Sequence, residues 1–378
     1  MSSEARPRSG MSWTEAAEDQ FTIAATTRHP VFLQLPRIPC TCFFVSGSNS
    51  SLAMGGIQNL IEPGAIVAVF TAGTLINRRK HIRLPETPSV ESPLLGDNHH
   101  GPHKPPNEDD VFRSFETRRT IQSRILACFP FLLEICYWTL SYWIYQGLRA
   151  FSARRIAGHK SIFDTAEDHA HQILALEHIL HIDIELAVQR YVLDQLPPLM
   201  PVLAKVYYSH IVLGIVFLVY IYTYIPRDKY QGIRRSLSFE NVLAFCILTA
   251  WRCAPPRLLP PEDGFIDILH KNRAGSAWTS NKFQLTIAAM PSLHFGNAFF
   301  IAFCLVRFSP HWMVRVMALL WPVLMGVTIV ATANHFLLDA LVGACVTMTA
   351  YRFNHVMLGL LPIERVLFRQ LRLEKPEE

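Results

Sequence analysis

Charge is scarce in this sequence. Asp, Glu, Lys and Arg make up 17% of its 378 residues, against about a quarter in ordinary soluble domains. The length would allow two or three soluble domains, but the charge is not spread evenly enough for that organisation. A continuous cationic stripe is lacking as well. The net charge of +5 comes from short Arg/Lys clusters beside apolar runs, which excludes a nucleic-acid surface. Of the eight cysteines, Cys128, Cys136, Cys246, Cys253, Cys304 and Cys345 lie in or beside apolar runs. That is the placement of small buried hydrophobes and not of a disulfide framework. Residues 1–53 contain no apolar core followed by a small-residue cleavage site, so no signal peptide is expected. What the chain does have is apolar bulk: half its residues are hydrophobic and 11% are aromatic. That excludes disorder for most of its length and marks a membrane protein.

The expected fold is all-α, a polytopic bundle of six core transmembrane spans, with a seventh in doubt near the N-terminus. Residues 1–53 read as an unstructured leader. Residues 54–76 are the doubtful span, Gly-rich and carrying Glu62 and Pro63. Residues 77–124 read as a flexible cytoplasmic linker, with six prolines between 84 and 111. Residues 125–362 form the membrane domain, and 363–378 a basic tail. Within that domain, 125–148 contains one charged residue (Glu134) and 199–225 one (Lys205). At ~1.5 Å per residue both exceed a ~30 Å hydrocarbon core. Residues 237–254 make a shorter span; 283–306, 316–338 and 336–361 complete the set.

Cations flank one side of this arrangement: Arg227, Lys229, Arg234 and Arg235, then Arg307 and Arg315, then the tail. The positive-inside rule makes that side cytoplasmic and turns residues 255–282 and the turn near Asn334 outward. Residues 163–196 alternate at helical spacing, which predicts an amphipathic helix in the interfacial plane. Its apolar face would carry Ile173, Leu174, Leu176, Ile179, Leu180, Ile184 and Leu186, with the His, Glu and Asp residues opposite.

Three segments that carry chemistry fall at the outward face. In Arg252-Cys-Ala-Pro-Pro-Arg257 the prolines stop a helix and stiffen its exit, aiming Arg257 over the surface. In Met290-Pro-Ser-Leu-His294 the proline suits a first helical turn, so Ser292 and the free N–H groups make an anion site with His294 one turn in. Ionisable groups within spans are rare and point to function. In Asn334-His335-Phe-Leu-Leu-Asp339 the His and Asp share one helix face, an arrangement that makes the imidazole a nucleophile or base. Two His and one Asp could also reach the ligand count of a zinc site, but Arg257 beside them argues against a bound cation.

The order Ala-Pro-Pro-Arg, Pro-Ser-Leu-His, His-x-x-x-Asp resembles the type 2 phosphatidic acid phosphatase superfamily. It is most similar to the inositolphosphotransferase branch, which includes the fungal inositol phosphorylceramide synthases. Residues 175–185 look like that branch's pre-span helix. The resemblance implies a metal-independent enzyme without a cofactor. His335 would take up the phosphoryl group, Asp339 would orient it, and His294 would protonate the leaving oxygen. Arg257 and Ser292 would hold the phosphate. Its phosphatase members carry Gly where Leu293 stands and a Ser-Arg pair where Thr328 and Ile329 stand. One phosphate cation is thus missing, which tilts the substrate toward a phosphodiester; Arg252, Arg273 or Lys282 could fill the gap. The reading is a lipid phosphotransferase that moves a phosphoinositol-type head group from a glycerophospholipid to a lipid alcohol, in Golgi or endoplasmic reticulum with its site in the lumen. A lipid phosphate phosphatase is the alternative within the fold, and a non-catalytic transporter or scaffold the alternative outside it.

Overall fold

The computed structural model describes residues 55–79, 121–269 and 285–373, the side chains of 55–60 excepted. The expected leader 1–53, the linker between 80 and 120, Arg273, Lys282 and the last five residues of the tail lie outside the described residues. Among the described residues there are eleven α-helices and no strand: α1 Gly55–Ile76, α2 Ile121–Cys128, α3 Phe131–Ile156, α4 Lys160–Ile179, α5 Glu185–Gln195, α6 Leu199–Tyr224, α7 Arg227–Ala250, α8 Leu293–Phe308, α9 Trp312–Ala331, α10 Leu337–Arg352 and α11 Leu361–Gln370. Prolines immediately precede α3, α6 and α7, where a missing N–H costs nothing. All six described cysteines are free.

Among the described residues, two helices, α6 and α9, are each long and apolar enough to cross a membrane; α2 and α3, bent by 99°, make a third if taken as one span. The other expected spans are shorter, or start elsewhere, for local reasons. Within the expected span 283–306, the described residues become helical only at Leu293, because Ser292 caps α8 there, its side chain accepting from Phe295 N–H. Residues just upstream run along the end of α7 instead, Ala289 N–H donating to Cys253 O at 3.0 Å. α10 stops at Arg352 and gives way to a 3₁₀ segment, Asn354–Leu360. Its 16 residues reach ~24 Å. α7 starts at Arg227, ten residues before the apolar run, and so carries Arg234 and Arg235 within the helix.

α8, α9 and α10 pack on one another, with α7 against α10, α6 against α9, α3 against α7, and α1 against α6 and α3. Glycine lets α8 and α10 meet backbone to backbone. A Cβ on Gly296 would sit 2.9 Å from Gly343 O, and one on Gly343 would collide with the Ser292 carbonyl oxygen. Polar ties close the bundle. Thr347 donates to buried Glu240 at 2.9 Å, joining α10 to α7. Tyr230 and Arg234 donate to Glu134 at 2.7 and 2.8 Å, joining α7 to α3. One side of α9 turns Trp312, Val316, Met317, Leu320 and Val323 outward, each more than half exposed. A surface of that size and composition needs lipid to cover it, as in an integral membrane protein.

The amphipathic segment is corrected in two respects. It is two helices, α4 and α5, parted at His181, whose φ is +56°. The buried face is also different: Ala166, Ala170, Ile173 and Glu177 on α4, and Glu185, Gln189 and Val192 on α5. Leu176, Ile179, Leu180 and Ile184 point outward. Small alanines let α4 lie directly on the chain leaving α7, where Ala254 N–H donates to Ala166 O at 2.9 Å, and the two glutamates find partners inside.

Candidate active site

His335 sits on a tight turn between α9 and α10. Asn334 N–H bonds back to Ile329 O, and Ala333 adopts φ +51°, a left-handed conformation uncommon outside glycine and frequent where function stores strain. The imidazole is nearly buried. Its Nδ1 lies 2.8 Å from Ala289 O and 3.6 Å from Asp339 Oδ2. A carbonyl can only accept, so Nδ1 carries the proton and Nε2 holds the lone pair. Sequence spacing assigns this orienting bond to Asp339. In the structure the Ala289 carbonyl makes it, and Asp339 Oδ2 accepts from Phe336 N–H at 3.0 Å, leaving its negative charge close to the ring.

His294 opens α8 with its ring centroid 5.7 Å from that of His335. It stacks on Tyr207 at 4.1 Å and meets His210 edge-on at 4.3 Å, both from α6. The two motifs are clamped together through backbone: Ser292 N–H donates to Asp339 O at 3.0 Å. Ser292 itself is fully buried and spends its hydroxyl on the α8 cap.

Arg257 comes from the short 3₁₀ turn Pro256–Leu258, which the prolines stiffen as expected. Its backbone N–H bonds to Ala333 O at 2.9 Å. Its Nε donates to Asn334 Oδ1 at 2.9 Å, and Nη1 lies 3.5 Å from Asp267. Burial pulls the guanidinium below its ordinary value and Asp267 opposes that.

A cavity of about 380 Å³ collects these groups. His294, His335, Arg257 and Asn334 line it, together with Tyr207, His210 and Arg149. Arg149 directly follows the apolar run 125–148, where hydropathy alone suggests a loop. α3 continues two turns past Leu148, which puts Arg149 on a helix facing the cavity. Its Nε is buried without a partner. Arg252 lies elsewhere, its Nη2 3.4 Å from Ser152, and Thr328 and Ile329 are fully buried in α9. The residues brought together are therefore His335, Asp339, His294 and Arg257; Arg252 and the Ser292 hydroxyl are not among them. Asn334, Tyr207, His210 and Arg149 are the additions. The signal for Arg149 was its place directly behind an apolar run, about two turns short of the true helix end. Among the described residues, no group of three or more His, Cys, Asp or Glu is placed to hold a metal ion.

The decisive comparison is with protein families. Residues 171–353 match the family model of the PAP2 superfamily. No curated protein and no solved structure matches the chain. The matched PAP2 segment runs from α4 to just past α10 and contains Arg257, His294, His335 and Asp339. α3, with Arg149, lies before it. Functions of the lipid phosphatase and phosphotransferase type belong to that superfamily, and the match, over less than half of the chain, stands as a similarity to it.

Proposed function

We propose that this protein is a membrane-embedded lipid phosphotransferase that moves a phosphoinositol-type head group from a glycerophospholipid to a lipid alcohol. The observation that carries the reading is His335: its Nδ1–H is fixed on the Ala289 carbonyl, and its free Nε2 shares a cavity with His294 and two guanidiniums. In the first step the Nε2 lone pair forms a bond to phosphorus while the bond from phosphorus to the glyceride oxygen breaks. His294 gives its proton to that oxygen. In the second step the acceptor hydroxyl attacks phosphorus, its proton passes to His294, and the P–N bond breaks. Arg257 and Arg149 hold the non-bridging oxygens as charge builds on them. The cationic flanks favour a site on the side away from the cytoplasm, which we read as the lumen of Golgi or endoplasmic reticulum.

Six core spans remain part of the reading, with the short helices α8 and α10 completed by their flanking segments. Apolar groups around the site favour transfer over hydrolysis: Phe336 is fully buried, Leu293 lines the cavity, and water is kept from the phosphorylated His. One observation favours the phosphatase alternative. Arg149 restores the second cation, and two guanidiniums also suit a doubly charged monoester.

The test is to incubate the purified protein with labelled phosphatidylinositol, with and without ceramide, and identify the products. Head-group transfer that requires the added alcohol, with little free inositol phosphate, is expected. Rapid orthophosphate release from phosphatidic acid without any transfer establishes the phosphatase instead. In the same assay Arg149→Ala should cost about 10- to 100-fold, the loss of one or two charged hydrogen bonds. An unchanged rate removes Arg149 from the site.

A further inference from the structure

The start of α10 is held by acids that the chemistry above does not use. Its first two amides are capped from outside: Leu337 N–H donates to Glu185 Oε1 at 2.8 Å and Leu338 N–H to Glu177 Oε1 at 2.7 Å. Asp339 Oδ2 takes Phe336 N–H just before them. All three carboxyl groups are essentially inaccessible, and each keeps a second oxygen buried without a partner, Glu177 Oε2, Glu185 Oε2 and Asp339 Oδ1. Three full negative charges at one helix N-terminus exceed what about half a unit of positive dipole charge offsets. The Glu177 and Glu185 carboxyl groups accept from the adjacent amides of Leu338 and Leu337, which brings them side by side, and each affects the other's ionisation. One proton between their Oε2 atoms satisfies both orphan oxygens and removes one charge.

We propose that Glu177 and Glu185 are positioning residues: an acid–carboxylate pair sharing a single proton that fixes the first turn of α10 and, through it, the His335–Asp339 geometry. This rests on His335 being the reacting group. Burial pushes the Glu177 carboxyl up to about 8 and raises Glu185 as well. The other ionisable groups facing the pair are Asp339 on α10, Asp183 in the turn between α4 and α5, and the Cys253 thiol after α7. Arg190 and Asp263 share the surface cleft outside Glu185. A carboxyl raised above its unfolded value favours the folded arrangement fully below the unfolded value, near 4.5, and loses that contribution as pH rises through about 8. The cap therefore loosens on the alkaline side.

The experiment uses the full chain in vesicles of phosphatidylinositol and ceramide, with kcat and KM measured from pH 6 to 9.5. Protection of the 335–340 amides is followed by hydrogen exchange in the same samples. Wild type should lose kcat above about pH 8 at constant KM. Glu177→Ala should cost about 10- to 100-fold in kcat, as expected for a misplaced reacting group, with KM within twofold and lowered protection at Leu337 and Leu338. Glu177→Gln should rescue most of that loss and abolish the alkaline fall, since its carbonyl accepts the Leu338 N–H and its amide replaces the shared proton. Wild-type kcat and protection in Glu177→Ala, or an unchanged alkaline fall in Glu177→Gln, overturns the proposal. If wild type shows neither transfer nor hydrolysis, the function reading fails, and the exchange data alone decide the pair: protection at 337–338 that is insensitive both to Glu177→Ala and to pH 7–9 refutes it.

Discussion

Replacing His335 with alanine is expected to reduce turnover to background, about 10⁴-fold or more, because the group that takes the phosphoryl is gone and water cannot stand in for it in an apolar pocket. His294→Ala should leave at most traces. Its ring stands beside His335, stacked on Tyr207, and general acid–base catalysis is worth about 10²–10⁴-fold. Asp339→Asn separates the two functions of that carboxylate. The amide oxygen can still accept Phe336 N–H, so the start of α10 survives, but the negative charge 3.6 Å from Nδ1 is lost just as the ring becomes cationic. About a 100-fold loss of kcat is expected. Each variant should elute from size exclusion as wild type does, and chelators should leave every rate unchanged. Near wild-type turnover in His335→Ala, or EDTA inhibition reversed by zinc, would falsify the histidine scheme.

Gly343→Ala should be the most damaging single-methyl change in the membrane domain. The added Cβ would run into the carbonyl oxygen of Ser292, a backbone atom that cannot rotate away as a side chain could. α8 and α10 would have to separate, breaking the Ser292 N–H bond to Asp339 O and pulling His294 from His335. Overpacking of this kind costs about 3 kcal/mol at the upper end of its usual range, with little to offset it between helices already surrounded by lipid. Loss of monodisperse protein in detergent, or a Tm lowered by several degrees, is the expected readout. A Tm equal to wild type would mean that the two helices have slack the packing does not show. Gly147→Ala on α3, where an added Cβ meets nothing within 4 Å, is the matched control.

Much of the site was legible because its signals are short-range. Pro291 and Ser292 announce the start of a helix, Pro255 and Pro256 stop one, and His335 and Asp339 sit four apart. The missing parts depend on contacts between distant segments. Arg149 looked like a loop charge because hydropathy ends at Leu148, whereas helical hydrogen bonding continues to Ile156. Glu177 and Glu185 looked solvent-facing because carboxylates usually are. Only α10, 152 and 161 residues away, supplies the amides that make burying them tolerable. The orienting partner of His335 was assigned by i, i+4 spacing, and the carbonyl of Ala289, next to an isolated bridge between Cys253 and Ala288, supplied it instead. Apolar runs were read as full spans where extended or 3₁₀ chain begins or finishes them, since hydropathy does not register where hydrogen bonding stops.

The cavity has a consequence for supply. Its lining runs along α3 from Glu134 to Arg149 and along α7 from Arg234 to Leu248, which at ~1.5 Å per residue is a slot ~20 Å deep. On the proposed reading of a lipid donor, the substrate enters from the plane of the bilayer and not from water. Collisions in that plane scale with how many neighbours in the leaflet are substrate. Diluting the donor with inert phospholipid should therefore slow the enzyme, and diluting the vesicles with buffer should leave each one's rate untouched.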